Sequence, residues 1–382
     1  MKSLYLHIGT PKTGTTSIQH FCHDNMEVLE KKGYCYPMFP YSYPNIRVGE
    51  PARNGLFLEA VFRNEEGIRD RGVEAQYLED GWQRIQTLFQ DYDHVIISDE
   101  GIWRAAAGRR KHIWRELREQ AEKGGFTVKI IAYVRRQDEL LESWWNQTVK
   151  HGVSQSNKLS WEEYLEVYPK YINLDYHALL KDAADELGVE NIIVHRFNRD
   201  FFIQGDLLAD FLDILGLELT DEYLVSDTSV KNLKMQENFC EIKRIINGMP
   251  EVEMKDRWRY ERMLRNLSDE PDREKGACRM FSAEEAAAFM DGYAGSNQKL
   301  YDMFIADGQP LFFEKNDPPP KWERDNPDML TDLVCFIVAC DLGRKRNTET
   351  VRRPDSFTVR LKRRVCHFLD RIKNKWLSEE AA

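Results

Sequence analysis

Short runs of apolar residues recur along the first half of the chain, each followed by a polar or glycine-bearing turn. They cover residues 4–8, 94–98, 128–134 and 191–195. Runs of this length between turns are typical of strands, and the run 128–134 is continuous enough for a strand at the centre of a parallel sheet. Because helical spacing of apolar positions follows these runs, the pattern predicts an α/β fold with a central parallel sheet flanked by helices.

The segments between the predicted strands carry apolar residues at helical spacing. We expect helices around residues 81–89, over about 103–123, from the end of the third strand to about 150, and over about 176–187, with mainly helices beyond 206. The prolines at 318–320 form the one strong break in the chain. The sequence therefore predicts a body over residues 1–316 and a basic, helical C-terminal tail over residues 321–382.

The predicted tail has an amphipathic pattern. Apolar residues line one helical face between residues 361 and 376, and lysines and arginines flank them. A basic amphipathic helix binds an anionic membrane surface or a polyanion, and it can equally pack on the body of a protein with its charges in water. Both interpretations stay open from the sequence, so peripheral contact with a membrane is one of two expectations.

Composition narrows the classes of function. The 382 residues are 42% hydrophobic and have a formal net charge of −10, which argues against a general nucleic-acid-binding protein with a basic surface. The seven cysteines are scattered without a CxxC pair, so we expect reduced thiols and neither a zinc site nor a disulfide framework. No membrane span or signal peptide is predicted, which favours a cytoplasmic location, with the tail as a candidate contact with the inner membrane face.

The first predicted strand runs into a glycine-bearing loop and then a helix, which is the arrangement of an anion site. Unpaired backbone N–H groups and the helix dipole favour negative charge at a helix N-terminus. Gly9 and Gly14 allow a tight turn and the close approach of a phosphate, and Lys12 adds positive charge. Further hydroxyl donors come from Thr13, Thr15, Thr16 and Ser17. The loop departs from a Walker A motif because Gly14 is followed by threonine instead of lysine.

The segment Pro11-Lys12-Thr13-Gly14-Thr15-Thr16-Ser17 resembles the 5'-phosphosulfate loop of the sulfotransferases that use 3'-phosphoadenosine 5'-phosphosulfate (PAPS). The chain looks similar to the bacterial carbohydrate members of that family. The resemblance implies a P-loop-NTPase-like sulfotransferase domain over residues 1–316, with helical C-terminal additions and no required metal. It also implies that Pro11 to Ser17 bind PAPS, that Lys12 contacts the bridging oxygen, and that a hydroxyl of a carbohydrate or glycolipid is the acceptor.

A second family signature is an arginine at a strand end with a serine eight residues later, and the pair holds the 3'-phosphate of the donor. Arg135 follows the third predicted strand, and Ser143 stands eight positions further on. The resemblance implies that this pair binds the 3'-phosphate, which a guanidinium can contact with two hydrogen bonds. Arg136 is an alternative to Arg135. Trp144 and Trp145 come next, and aromatic side chains line sugar sites, although tryptophan in a helix more often packs.

Sulfuryl transfer to a hydroxyl needs a group that accepts the hydroxyl proton. Glu100 follows the strand 94–98, and ligands of parallel sheets bind at the carboxyl ends of the strands, where Lys12 and Arg135 are also expected. The family often takes its base from this position. We therefore expect Glu100 to be the base, and Asp99 is its rival.

Two other functions stay open from the sequence. The strand 94–98 with its acidic end also resembles a Walker B strand, which would favour a kinase-like phosphotransferase that uses ATP and magnesium. Alternatively, the chain is a nucleotide- or glycan-binding protein without catalysis. Magnesium-dependent turnover of ATP would favour the first alternative, and tight binding of adenosine 3',5'-bisphosphate without transfer would favour the second.

Overall fold

The apolar runs form one parallel sheet in the computed structural model, which describes residues 2–44, 46, 52–152, 155–225, 234–270, 278–313 and 318–348. The five strands are β1 (Ser3–Gly9), β2 (Tyr34–Cys35), β3 (His94–Ser98), β4 (Thr127–Val134) and β5 (Ile192–Arg196). Their order in the sheet is β2-β3-β1-β4-β5, and every neighbouring pair is parallel. The predicted α/β class with a central parallel sheet is confirmed.

Helices fill the connections between the strands and most of the described residues that follow β5. The helices before β4 are α1 (Thr15–Asp24), α2 (Met26–Lys31), α3 (Leu56–Glu59), α4 (Arg71–Asp91), α5 (Gly101–Ala106) and α6 (Ile113–Gly124). Between β4 and β5 lie α7 (Gln137–His151), α8 (Trp161–Val167), α9 (Pro169–Ile172) and α10 (Tyr176–Leu187). After β5 come α11 (Leu207–Ile214), α12 (Glu237–Gly248), α13 (Met254–Ser268), α14 (Ala283–Asp291), α15 (Ala294–Phe304) and α16 (Asp328–Thr348). No described helix is both long enough and apolar enough to cross a membrane.

The position of β1 in the sheet determines where the loops meet. β3 and β4 flank β1, which is buried along its whole length, with Leu4, Leu6 and Ile8 fully shielded from solvent. Because parallel strands end at the same edge, the segments after β1, β3 and β4 converge there. These three segments carry the residues that the sequence predicts for the functional site.

The chain divides into two compact units. The first unit comprises residues 1–144, 161–232 and 281–318 and contains the sheet. Its core includes aromatic residues from several elements, among them Phe21 of α1, Tyr133 of β4 and Phe211 of α11. The predicted division of the chain at its proline break stays a prediction.

The second unit comprises residues 145–160, 233–280 and 319–382, and its described part is helical. The helices α12, α13 and α16 pack on one another, and they bury Phe239, Leu264 and Phe336. The ring of Tyr260 stands edge-on to Phe336, with 5.7 Å between the ring centroids. The amphipathic pattern predicted between residues 361 and 376 lies outside the described residues.

Two local features differ from the sequence-based expectation. The helix expected over about 103–123 is two helices, because the chain turns after α5 and the guanidinium of Arg110 donates to the carbonyl oxygen of Leu58 at 3.0 Å. The strand β2 was not expected, since it has only two residues, Tyr34 and Cys35, paired with His94 and Val95 of β3. A strand of two residues is too short to produce a recognisable alternation.

Candidate active site

The loop between β1 and α1 ends at the start of a helix that no side chain caps. Gly14 is the N-cap residue of α1, no side chain caps the helix, and its first turn has no acidic residue. Gly14 has a left-handed backbone conformation, with φ 72°, and a Cβ atom there would lie 2.3 Å from Leu207. Because the first N–H groups of a helix lack acceptors within the helix, this end of α1 attracts an anion.

Hydrogen bonds inside the first unit fix the shape of this loop. The N–H of Thr10 donates to the carbonyl oxygen of Tyr133 in β4 at 2.8 Å, and the Thr13 hydroxyl donates to the carbonyl oxygen of Thr10. Thr13 is fully buried, so its hydroxyl supports the loop. Pro11 and Thr15 are also buried. The other residues of the segment are partly exposed, namely Lys12, Gly14, Thr16 and Ser17.

Arg135 lies beside this loop. Its Nη1 is 3.4 Å from the carbonyl oxygen of Lys12, and its Nε is 3.3 Å from a carboxylate oxygen of Glu139. The guanidinium carbon stands 5.9 Å from the ring centroid of Phe197, and the Tyr176 hydroxyl donates to the Arg135 carbonyl oxygen at 2.8 Å. The structure therefore brings the two predicted anion-binding elements together at one edge of the sheet.

The other residues predicted for the second anion site have different surroundings. Arg136 directs its Nε to Asp138 at 3.0 Å, and Asp138 is fully buried, so Arg136 forms an ion pair within the protein. Ser143 is partly exposed in the second turn of α7. Within the described part of the chain, no hydrogen bond joins Ser143 to Arg135.

Glu100 and Asp99 follow β3 but differ in exposure. The Glu100 side chain is 26% exposed, whereas Asp99 is fully buried. The Cβ of Glu100 lies 3.2 Å from the position that a Cβ on Gly9 would occupy, which places Glu100 beside the start of the β1–α1 loop. Of the two acids, Glu100 is the one that solvent can reach next to the predicted phosphate loop.

Arg53 connects both acids to a third carboxylate. Its Nη2 lies 2.5 Å from Asp99 and 3.5 Å from Glu59, and its Nε lies 3.9 Å from Glu100. Arg109 also forms an ion pair with Glu59 and donates to its carbonyl oxygen. Two arginines thus face three carboxylates in a mostly buried cluster, which we call the Arg53 cluster.

Burial and charge shift the pKa values of Asp99 and Glu100, two of the three acids in this cluster, in opposite directions. Burial is the main cause that raises the pKa of Asp99, against the opposing charge of Arg53. Burial also acts to raise the pKa of Glu100, but the Arg53 guanidinium and a 2.9 Å hydrogen bond from the Gln19 amide hold it below its ordinary value. Burial lowers the pKa of His7 to about 4, so this histidine is neutral near pH 7. Glu100 is therefore the acid that stays ionised.

Trp144 and Trp145 of α7 have different surroundings, and Trp144 contacts a residue of α5. The guanidinium of Arg104 lies over the ring of Trp144, 5.5 Å from its centroid, and both side chains reach solvent. Trp145 is buried instead, and its indole N–H donates to the carbonyl oxygen of Leu159 at 3.2 Å. Only Trp144 of the pair is placed to contact a ligand.

The sequence did not indicate Arg53, Gln19 or Phe197 as site residues. Arg53 lies outside every strand and helix, and 46 positions separate it from Asp99. Gln19 is buried in α1 among apolar residues, and Phe197 follows β5 as an ordinary core residue would. Each reaches the site only through tertiary contacts, so no local pattern marks them.

Comparison with known proteins gives partial similarities. No protein-family profile matches the chain. An uncharacterized protein of Archaeoglobus fulgidus is 31% identical over 178 residues, and the match spans 45% of this chain and 45% of that protein's length. The crystal structure of a sulfotransferase from Alicyclobacillus acidocaldarius aligns with 68% of this chain and 99% of that chain, at 15% identity and a TM-score of 0.36.

Proposed function

We propose that this chain is a sulfotransferase that moves a sulfuryl group from PAPS to a hydroxyl of a carbohydrate or glycolipid. The observation that carries the proposal is the contact between Arg135 and the β1–α1 loop, where Nη1 lies 3.4 Å from the Lys12 carbonyl oxygen. PAPS carries two separate anionic groups on one ribose. A helix N-terminus and a guanidinium at adjoining strand ends fit that pattern of charge.

The residues of the β1–α1 loop suit the 5'-phosphosulfate group. The uncapped start of α1 offers backbone N–H groups, and Lys12 supplies positive charge where the leaving phosphate gains negative charge. We assign the 3'-phosphate to Arg135, with Ser143 in the next helix as its partner. When bound, PAPS supplies the sulfuryl group and leaves as adenosine 3',5'-bisphosphate.

Glu100 is the proposed base. The acceptor oxygen forms its bond to sulfur as the bond from sulfur to the leaving phosphate oxygen breaks, and Glu100 takes the hydroxyl proton. Its lowered pKa keeps the Glu100 carboxylate ionised at neutral pH. Its position beside Gly9 places it next to the start of the β1–α1 loop. Asp99 is less suited to this role, because it is fully buried and bonded to Arg53 and to the N–H of Gly101.

A carbohydrate acceptor is supported by the exposed pair of Arg104 and Trp144. The face of an indole ring binds the apolar face of a sugar, and a guanidinium donates hydrogen bonds to sugar hydroxyls. The pair joins α5, which follows Glu100, to α7, which follows Arg135. The Arg104–Trp144 pair therefore lies on the two helices that follow the proposed base, Glu100, and the proposed 3'-phosphate ligand, Arg135.

The burial of Asp99 also bears on the kinase alternative. In a Walker B strand the terminal acid must reach a magnesium ion that bridges nucleotide phosphates. Asp99, which ends the corresponding segment here, has one carboxylate oxygen engaged by Arg53 and by the Gly101 N–H. This arrangement favours a structural role for Asp99 and supports the sulfotransferase proposal.

Calorimetric titration with adenosine 3',5'-bisphosphate and, separately, with ATP and magnesium tests the nucleotide preference. We expect the bisphosphate to bind at least about tenfold more tightly, because a two-hydrogen-bond contact to its 3'-phosphate is missing in ATP. A screen of neutral and acidic glycans with radiolabelled PAPS then tests transfer. Preference for ATP would overturn the proposal, and tight bisphosphate binding without transfer to any glycan would favour the non-catalytic alternative.

A further inference from the structure

We propose that Arg53 is a positioning residue that keeps Glu100 in the anionic form required to accept a proton. This inference rests on the proposed function, because it gives a role in that reaction to a residue outside the predicted motifs. Arg53 lies within 3.9 Å of Glu100 and also contacts Glu59 and Asp99. It would act through Glu100 and would not touch the acceptor itself.

The Arg53 cluster is built from separate parts of the first unit. Glu59 ends α3, Asp99 and Glu100 follow β3, and Arg53 comes from the segment before α3. The Arg53 side chain is 27% exposed, whereas those of Glu59 and Asp99 are 8% and 0% exposed. A guanidinium in this position counters acidic charge that water reaches poorly, and its electrostatic effect is larger than on an open surface.

Two buried atoms of the cluster have no hydrogen-bond partner among the described residues. They are Nε of Arg53 and Oδ2 of Asp99. Because buried polar groups are nearly always paired, each unpaired atom marks a place where a proton or a hydrogen bond can be added. Arg53 Nε lies 3.9 Å from Glu100 Oε2, close enough for an ion pair but longer than a hydrogen bond.

The groups around Glu100 leave Arg53 as its main source of positive charge. Gln19 of α1 donates a neutral hydrogen bond to Glu100, and His7 of β1, whose pKa burial lowers to about 4, lowers the pKa of Glu100 less than Arg53 does. Asp99 and, through the shared guanidinium, Glu59 contribute acidic groups. The buried phenol of Tyr36 also interacts with Glu100, and burial raises the pKa of this phenol. Without Arg53, Glu100 would gain a proton at a higher pH.

Arg109 provides a matched control for Arg53. It also pairs with Glu59, but among the described residues it contacts neither Asp99 nor Glu100. A change at Arg109 therefore tests the loss of positive charge from the same cluster without removing the neighbour of Glu100. Arg53→Lys tests a retained charge without the planar guanidinium.

The first measurement is the pH dependence of kcat for transfer. In Arg53→Gln we expect the acid limb of the profile to move upward by about one pH unit or more, since the loss of an opposite charge moves a carboxyl pKa by about 1–3 pH units. We expect Arg53→Lys to restore most of the original profile and Arg109→Gln to leave the limb in place. Affinity for adenosine 3',5'-bisphosphate should change less than twofold in all three. An unmoved acid limb in folded Arg53→Gln protein would overturn the inference.

A second measurement does not depend on transfer. Titration of carboxyl-labelled glutamate by carbon NMR, with Glu100→Gln used to assign the signal, reports the ionisation of Glu100 in each variant. If the protein transfers no sulfuryl group, the proposed function fails, while this titration still decides whether Arg53 controls the charge of Glu100. If Arg53→Gln does not fold, the same change is made in an Asp99→Asn background, which removes the buried carboxyl group that Arg53 contacts, and its titration is compared with that of Asp99→Asn alone. If the pKa of Glu100 is unchanged in either comparison, the inference is wrong.

Discussion

Lys12 occupies a left-handed backbone position, with φ 69°, in the loop between β1 and α1. This conformation is uncommon for a residue with a side chain and is retained where the surroundings determine it. Its carbonyl oxygen lies next to Arg135, so the loop that presents the Lys12 side chain is held by the neighbouring strand end. The backbone position from which the Lys12 side chain extends is therefore fixed.

We expect Lys12→Met to lower kcat by about 100-fold or more, because it removes the positive charge proposed to stabilise the leaving phosphate. Methionine keeps a similar length and leaves the backbone requirement unchanged. Single-turnover assays with saturating PAPS measure the chemical step directly. Lys12→Arg, which retains the charge, should keep a larger fraction of the activity, and full activity of Lys12→Met would contradict the assigned role.

Asp99 yields a prediction about stability and pH. Burial raises its pKa in the folded protein above the ordinary value near 4 that it has when unfolded. Its contribution to stability is thus complete below about pH 4 and is lost as pH rises through the raised folded pKa, by about 1.4 kcal/mol for each pH unit that separates the folded and unfolded pKa values. Relative to wild type, Asp99→Asn should become more stable as pH rises from about 4 to neutrality. Urea unfolding at several pH values measures this difference, and a difference independent of pH would contradict it.

At the residue scale, the two acids after β3 show what a sequence can and cannot predict. Their positions after β3 predict an acid at the carboxyl edge of the sheet. From the sequence alone, Glu100 and Asp99 both stay candidates for the base. The structure separates them by burial, by the Gln19 amide and by Arg53. These contacts come from distant segments of the chain, so a local motif contains no information about them.

Among the elements, α1 depends on the glycine that precedes it. A side chain at Gly14 would adopt a left-handed conformation and meet Leu207 at 2.3 Å and Phe197 at 3.2 Å. The start of α1 is thus packed against α11 and against the residue that follows β5. This packing fixes the direction in which the first N–H groups of α1 point.

We expect Gly14→Ala to destabilise the protein by about 1–2 kcal/mol through backbone strain and by about 1–3 kcal/mol more through overpacking. Gly33→Ala is the matched control, because Gly33 also has a positive φ, 85°, but has nothing within 4 Å of its added Cβ. It should show the first contribution alone. Thermal unfolding measures the destabilisation of each variant. Calorimetry with adenosine 3',5'-bisphosphate measures how tightly each variant binds the nucleotide. Equal destabilisation of the two variants would show that the Leu207 contact is unimportant.

Elements with strong patterns were predicted from sequence, and elements fixed by tertiary contacts were not. The strands β1, β3, β4 and β5 match the predicted apolar runs closely. The expected long helix after β3 is interrupted, since Arg109 and Arg110 turn to bond the backbone of α3. Helical periodicity alone could not reveal this interruption, because the acceptors belong to residues about 50 positions earlier.

At the scale of the whole molecule, the order of the strands explains why distant motifs meet. Lys12 and Arg135 are 123 positions apart, yet β1 and β4 are neighbours in the sheet, so their following segments adjoin. That part of the candidate site was predictable from a parallel sheet and its carboxyl edge. The second, helical unit was not predicted as a unit, because segments from three parts of the sequence contribute to it.

The second unit buries lysines although the chain as a whole carries a net charge of −10. Lys150 and Lys243 are 5% and 0% exposed. The ammonium of Lys243 donates to the side-chain oxygen of Asn247, and burial lowers its pKa to about 8, against the attraction of Glu261. A buried cation with a neutral partner costs stability near neutral pH, because charging it requires desolvation.

We therefore expect Lys243→Met to stabilise the protein near pH 7 by up to about 3 kcal/mol, since the folded and unfolded pKa values differ by roughly 2.5 and each pH unit corresponds to about 1.36 kcal/mol. Because the folded pKa of Lys243 is lowered, its contribution to stability is complete above the unfolded value near 10.4 and is lost as pH falls through about 8. The advantage of methionine should thus shrink as pH rises from about 8 toward 10.4. Urea unfolding followed by circular dichroism across this range measures it. Lys255→Met, at an exposed lysine of α13, is the control and should show no such trend, and an equal trend in both variants would refute the assignment to Lys243.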